Sequence, residues 1–157
     1  MKLSDIIPEG GILDDLKATG KEDVIREMVQ ALIKIGRVDE RASSKVIKAL
    51  LDREELGSTG IGTGVAVPHA KHDSINDLVG VFGRSRKGIN FDALDGESVH
   101  ILFLLLSSKS ASGAHLEVLA YISRLVRDER FVKFLRDAKD TASIRDVLRE
   151  AEQTLGV

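Results

Sequence analysis

Val99-His100-Ile101-Leu102-Phe103-Leu104-Leu105-Leu106 is the stretch on which the fold turns. Apolar residues stand at successive positions rather than alternate ones, so a strand built from them has no face suited to water. That predicts a central strand with structure packed above and below it. Upstream, Leu78 to Ser85 is a second β-rich run, and the segment between the two carries turn chemistry at Lys87-Gly88 and Leu94-Asp95-Gly96.

The period changes on either side of these strands. Val24, Ile25, Met28, Val29, Leu32 and Ile33 recur at helical spacing from Asp23 onward, and Gly36 stands where a C-cap would close the helix. A second helix is predicted from about Asp39 to Leu56, burying Val46, Ile47, Leu50 and Leu51 and ending at Gly57. Beyond the central strand, Ser107 to Gly113 reads as a small-residue loop. A helix starting near Ala114 or His115 follows, with Leu116, Leu119, Ile122, Leu125 and Val126 as its apolar positions. Phe131 to Leu135 predicts a short helix, and Ile144, Val147, Leu148 and Ala151 a terminal one capped by Thr141. Mixed strands and helices in this order predict an α/β layered domain with helices on both faces of a sheet, occupying residues 1–157 as one unit.

Composition narrows the function. The chain has 157 residues, a net charge of -2 and no cysteine. No global positive field exists to hold nucleic acid, and thiol catalysis, disulfides and Cys-ligated metals are excluded within the chain. The N-terminus lacks the apolar core of a signal peptide, and Ile101 to Leu106 is far too short to cross a bilayer, so no membrane insertion and a cytoplasmic location are expected.

One segment departs from ordinary helix or strand composition. Gly57, Gly60, Gly62 and Gly64 are too dense for a helix interior, and Val65-Ala66-Val67 is a short apolar stretch stopped by Pro68. A loop feeding a short strand is predicted, with His69 immediately beyond it, where ligand chemistry gathers in sheets of this class. A neutral imidazole suits reversible phosphoryl acceptance near neutral pH, and amides of Gly60 and Gly62 with the hydroxyls of Ser58 and Thr59 could meet phosphate oxygens. A lone histidine beside glycines is also compatible with a structural role. Arg53, near the buried side of a helix end, calls either for a phosphate or for a carboxylate such as Glu54 or Glu55. His115, at a helix start, is either a neutral ring that steadies the active imidazole or a solvent-facing side chain.

Other candidates are weaker. His69-Ala70-Lys71-His72 with Asp73 invites a metal-ligand reading, but no other ligand pair has metal-site spacing, and no metal or cofactor is expected. His100, inside an apolar strand, reads as a hydrogen-bonded structural residue. Arg84, Arg86 and Lys87 read as a solvated basic face that could meet an acidic partner.

Taken together, Arg53-Glu54, Leu56-Gly57-Ser58-Thr59-Gly60-Ile61-Gly62, Val65-Ala66-Val67-Pro68-His69 and His115-Leu116 resemble the fructose/mannitol-type enzyme IIA family of the bacterial phosphotransferase system. The resemblance spans nearly the whole chain. It implies a mixed sheet flanked by helices, His69 as the residue phosphorylated at Nε2, and His115 and Arg53 as its companion histidine and phosphate-binding arginine. It implies a histidine-containing phosphocarrier protein as donor and, in sugar transport, an enzyme IIB cysteine as acceptor, with no nucleotide or metal required. Leu3-Ser4-Asp5-Ile6-Ile7, Leu16 to Lys21 and Phe91 to Gly96 look most like the nitrogen-regulatory branch, whose output is phosphorylation-dependent binding of target proteins. Ser107 to Gly113 departs from the pattern, since relatives commonly carry a proline and acidic residues there.

Overall fold

The computed structural model describes residues 2–154; Met1 and residues 155–157, the ends of the predicted 1–157 unit, lie outside the described residues. In chain order the elements are α1 (Leu3–Ile6), β1 (Ile12–Leu13), α2 (Lys21–Lys34), a 3-10 turn (Glu40–Ala42), α3 (Ser43–Leu56), β2 (Gly60–Gly62), β3 (Val65–Ala66), β4 (His69–Lys71), β5 (Val79–Ile89), β6 (Val99–Ser107), α4 (Ser112–Leu125), α5 (Glu129–Asp137) and α6 (Thr141–Thr154).

The sheet is mixed. Its order is β1-β5-β6-β3-β2, with β4 also on β6. β5 and β6 run antiparallel, whereas β1 on β5, and β3 and β4 on β6, are parallel. The central place of β6 follows from its composition. Ile101, Phe103 and Leu105 belong to a core shared with α4, α5 and α6, while Leu102, Leu104 and Leu106 belong to a core shared with α2 and α3. Alternate side chains leave opposite faces of a strand, so an all-apolar strand is stable only with a helical layer on each side.

The two-sided architecture matches the sequence expectation, with local corrections. α1 and β1 have no strong sequence signal, being four and two residues long. β5 does not stop at Ser85: it continues to Ile89 and absorbs the predicted Lys87-Gly88 turn as an irregularity in its pairing between Arg84 and Ile89. α4 starts at Ser112, earlier than predicted, and Ser107 closes β6 rather than opening a loop. Asp140, not Thr141, caps α6, accepting the amide of Ser143 at 2.9 Å, because a carboxylate one residue earlier reaches the unpaired first-turn amides.

Arg84 departs most from expectation. It is 1% exposed rather than solvated. Its guanidinium donates to the carbonyls of Asp14, at 2.9 Å, and of Leu135, at 3.0 Å, and also to that of Ala138. The cation thus satisfies the carbonyl end of α5 and pins it to β5. Arg86 and Lys87 do lie at the surface.

Candidate active site

β3 and β4 are two pieces of one path along β6. Val65 and Ala66 pair with Ile101 and Leu102, and His69, Ala70 and Lys71 pair with Leu105, Leu106 and Ser107. Pro68 interrupts the pairing because it has no N–H. Its carbonyl still accepts from the Leu105 amide at 3.0 Å, so the chain stays extended and pairing resumes at once. His69 is therefore the first residue of a strand rather than a loop residue beyond one. Val65 and Val67 point into the α4-side core, and the two-residue period puts His69 and Lys71 on that same side.

Nδ1 of His69 lies 2.7 Å from the carbonyl oxygen of Val67. A carbonyl can only accept, so Nδ1 carries the proton and Nε2 carries the free lone pair. Nε2 has no protein partner among the described residues and is not one of the buried unpartnered atoms, so it opens to solvent. Burial pushes the His69 pKa below that of a free histidine; the Val67 bond opposes this, and the nearby charges of Arg53 and Lys71 reinforce it. The ring is neutral at neutral pH.

His115 lies in the first turn of α4 and is 2% exposed, which corrects the solvent-facing alternative. Its ring centroid is 5.4 Å from that of His69, with the planes inclined at 56°. Burial, then the proximity of His69 and Lys71, lower its pKa to about 4. On the core side, its Nδ1 lies 2.6 Å from the hydroxyl oxygen of Ser107, a residue with no exposure.

Arg53 sits in the last turn of α3 and makes no ion pair with Glu54 or Glu55 among the described residues. One of its terminal nitrogens donates to the Gly57 carbonyl at 2.9 Å, which steadies the guanidinium while leaving other donors free. Ala49, Asp52, Arg53 and Leu56 of α3 face His115, Leu116 and Leu119 of α4 across a cleft of about 520 Å³ whose floor is His69, Ala70 and Lys71. Two imidazoles, a guanidinium and an ammonium thus meet at the open edge of the sheet. Such a site can receive a dianionic phosphoryl group on a neutral nitrogen nucleophile.

The phosphoenolpyruvate-dependent sugar phosphotransferase system EIIA 2 family model matches residues 5–151. The chain belongs to this family. This EIIA 2 chain is 37% identical over 148 residues to a nitrogen regulatory protein of Bradyrhizobium diazoefficiens, spanning 94% of this chain and 95% of that one. It is 35% identical over 153 residues to the fructose-specific EIIABC component of Bacillus subtilis, covering 98% of this chain but only 24% of the much longer relative. The crystal structure of the nitrogen regulatory protein IIA-Ntr from Neisseria meningitidis superposes with a TM-score of 0.83 at 32% identity, covering 92% of this chain and 97% of that one.

Within the EIIA 2 chain, the glycine-rich loop stands apart from the cleft. Ser58, Thr59, Gly60 and Gly62 do not line it. Both the amide and the hydroxyl of Thr59 end on the carboxylate of Glu54, the amide at 3.1 Å, and Lys21 completes that buried cluster at 3.1 Å. The Gly60 amide donates to the Ser58 hydroxyl oxygen at 3.0 Å, and that hydroxyl reaches toward the Phe91 carbonyl at 3.5 Å. A Cβ on Gly60 would stand 2.7 Å from that of Ala93, so glycine is required for the loop to lie against the 92–96 turn. Gly62, at φ +91°, turns β2 into β3. Of the expected phosphate cradle, the donors of Ser58, Thr59 and Gly60 are spent on internal bonds that set the end of α3 against the sheet.

The remaining histidines lie elsewhere. Nδ1 of His100 donates to the Ser85 carbonyl at 2.8 Å, a structural bond of the kind anticipated. His72 pairs with its neighbour Ser74, at 2.7 Å to the hydroxyl, and takes no part in the cleft. No group of three or more metal-ligating side chains is assembled among the described residues. Sequence reasoning missed Lys71 and Ser107. Lys71 was legible only through the alternation that places it two residues beyond His69, and Ser107 only through the pairing of β4 with β6.

Proposed function

We propose that this chain is a phosphoryl carrier that accepts phosphate on Nε2 of His69 from a histidine-containing phosphocarrier protein. The observation that carries the reading is the Val67 carbonyl, which holds the proton on Nδ1 and leaves a neutral Nε2 lone pair facing Arg53 and His115.

In the transfer, the Nε2 lone pair attacks phosphorus in line and forms a new N–P bond while the carrier's N–P bond breaks. The electron pair of the broken bond stays on the carrier's ring nitrogen, which leaves as neutral imidazole when its other nitrogen is protonated. The Nδ1 proton of His69 remains against the Val67 carbonyl, which stabilises the positive charge the ring acquires. Arg53 is positioned to fork onto two phosphoryl oxygens, and Lys71 adds charge beside them. His115, neutral and adjacent, orients the group. No nucleotide, metal or other cofactor is needed.

We place the chain in the nitrogen-regulatory branch, as one cytoplasmic domain spanning residues 1–157, with phosphorylation acting as a charge switch on the binding of target proteins. The 37% identity to a nitrogen regulatory protein supports this branch. The alternative is a sugar-transport IIA that passes phosphate to a IIB cysteine, favoured by the match to the fructose-specific relative.

The test is to incubate native and His69→Ala chains with phosphoenolpyruvate and the upstream phosphotransfer proteins and to measure acid-labile phosphate. Label on the native chain alone supports the reading; label retained by His69→Ala overturns it. Onward transfer to a IIB cysteine without phosphorylation-dependent protein binding would favour transport, and the reverse regulation.

A further inference from the structure

We propose that Ser107 is a positioning residue that sets the tautomer of His115, donating its hydroxyl proton to Nδ1 so that Nε2–H faces the cleft as a hydrogen-bond donor to the phosphoryl group. The inference rests on the phosphoryl-carrier reading above.

Ser107 closes β6 with no exposure, and its hydroxyl has one partner among the described residues, Nδ1 of His115 at 2.6 Å. His115 titrates at about 4, so at neutral pH the ring is uncharged and exactly one of its nitrogens bears hydrogen. Two arrangements satisfy that distance. If Nδ1–H donated to Ser107, the serine's own O–H would be left in the core without an acceptor. If Ser107 donates to Nδ1, its hydroxyl is satisfied within the core, and the remaining N–H of the ring sits on Nε2.

That nitrogen has somewhere to point. It has no protein partner, and the buried unpartnered side-chain atoms among the described residues are Arg84 Nη2 and the Tyr121 hydroxyl, so His115 Nε2 reaches solvent along the cleft wall. The two histidines thereby take opposite tautomers for complementary tasks. The Val67 carbonyl holds His69 with a bare Nε2, a nucleophile, while the Ser107 hydroxyl holds His115 with a protonated Nε2, a donor to the oxygens of whatever His69 carries. The other His115 tautomer would aim a lone pair at those oxygens and repel them.

Imidazole nitrogen NMR on the 15N-labelled full chain at pH 7.5 reads each tautomer directly in unphosphorylated protein. The expected result is Nε2–H for His115 in the native chain, a population of Nδ1–H appearing in Ser107→Ala, and the native pattern restored in Ser107→Thr, which keeps the hydroxyl. Phosphate uptake by Ser107→Ala should be slower by about tenfold, the equivalent of one hydrogen bond to a charged group, with Ser107→Thr close to native. A native His115 in the Nδ1–H form, or a Ser107→Ala chain with an unchanged tautomer, overturns the proposal. Because the NMR result does not require phosphate, a native chain that shows the expected tautomers but takes up no phosphate would defeat the carrier reading and leave the Ser107 assignment standing.

Discussion

The Nδ1–H of His69 donates to the carbonyl of Val67 across 2.7 Å, two residues back along the same chain. The bond spans Pro68, whose ring holds the backbone in the extended form that brings carbonyl and imidazole together. One consequence concerns the attachment point. Phosphate should be found on Nε2 and not on Nδ1, and phosphorus–nitrogen couplings in the 15N-labelled phosphoprotein would show it. Coupling to Nδ1 would mean that the Val67 bond breaks before transfer.

Removing the guanidinium should slow the chemistry without moving it. Arg53→Ala is expected to lower the rate of phosphate uptake about 10²-fold, the usual effect of losing one group aimed at developing charge. Arg53→Lys should recover only part of that loss, since an ammonium cannot fork onto two oxygens. Rapid-quench measurement of initial rates at saturating carrier decides it, and an unchanged rate in Arg53→Ala would reduce this side chain to its bond with Gly57.

His115 should impose an acid limit on stability. Its pKa falls from 6.5 in the unfolded chain to about 4 in the folded protein. Below 6.5 the unfolded state therefore binds a proton that the folded state refuses, and stability declines as pH drops through the window between these values, levelling off beneath it. The full loss is roughly 3 kcal/mol. Above 6.5 the two states bind alike and this group contributes no pH dependence. Urea unfolding between pH 7.5 and 3.5 should show the slope, and His115→Asn should flatten it.

The cluster of Glu54, Thr59 and Lys21 should matter for stability and not for transfer. Thr59→Val removes the hydroxyl that meets one carboxylate oxygen of a side chain that is 6% exposed. The expected cost is about 1–3 kcal/mol in urea unfolding. Phosphate uptake by the folded variant should match native; a large loss of uptake at unchanged stability would return this loop to phosphate binding.

Sequence by itself determined the layers and marked out the candidate reactive residue. An apolar run with no polar face, such as Ile101 to Leu106, can only be a strand covered on both sides, and helical spacing in 24–33, 46–51 and 119–126 supplied the covers, while Leu116 stays exposed. Those patterns are local, so they survive being read one residue after another. The proline before His69 and the glycines before it are local too, and they singled out the imidazole. What only the tertiary structure decided is where each hydrogen bond ends. Nothing in Ser58-Thr59-Gly60 distinguishes amides offered to a phosphate from amides committed to Glu54, and nothing in the spacing of Ser107 and His115 says that a strand end and a helix start enclose them together. Arg84 reads as a surface cation until α5 brings its carbonyls within reach. Tautomers, depressed pKa values and occupied donors depend on partners distant in the chain, and these come into contact only when both helical layers close on the sheet.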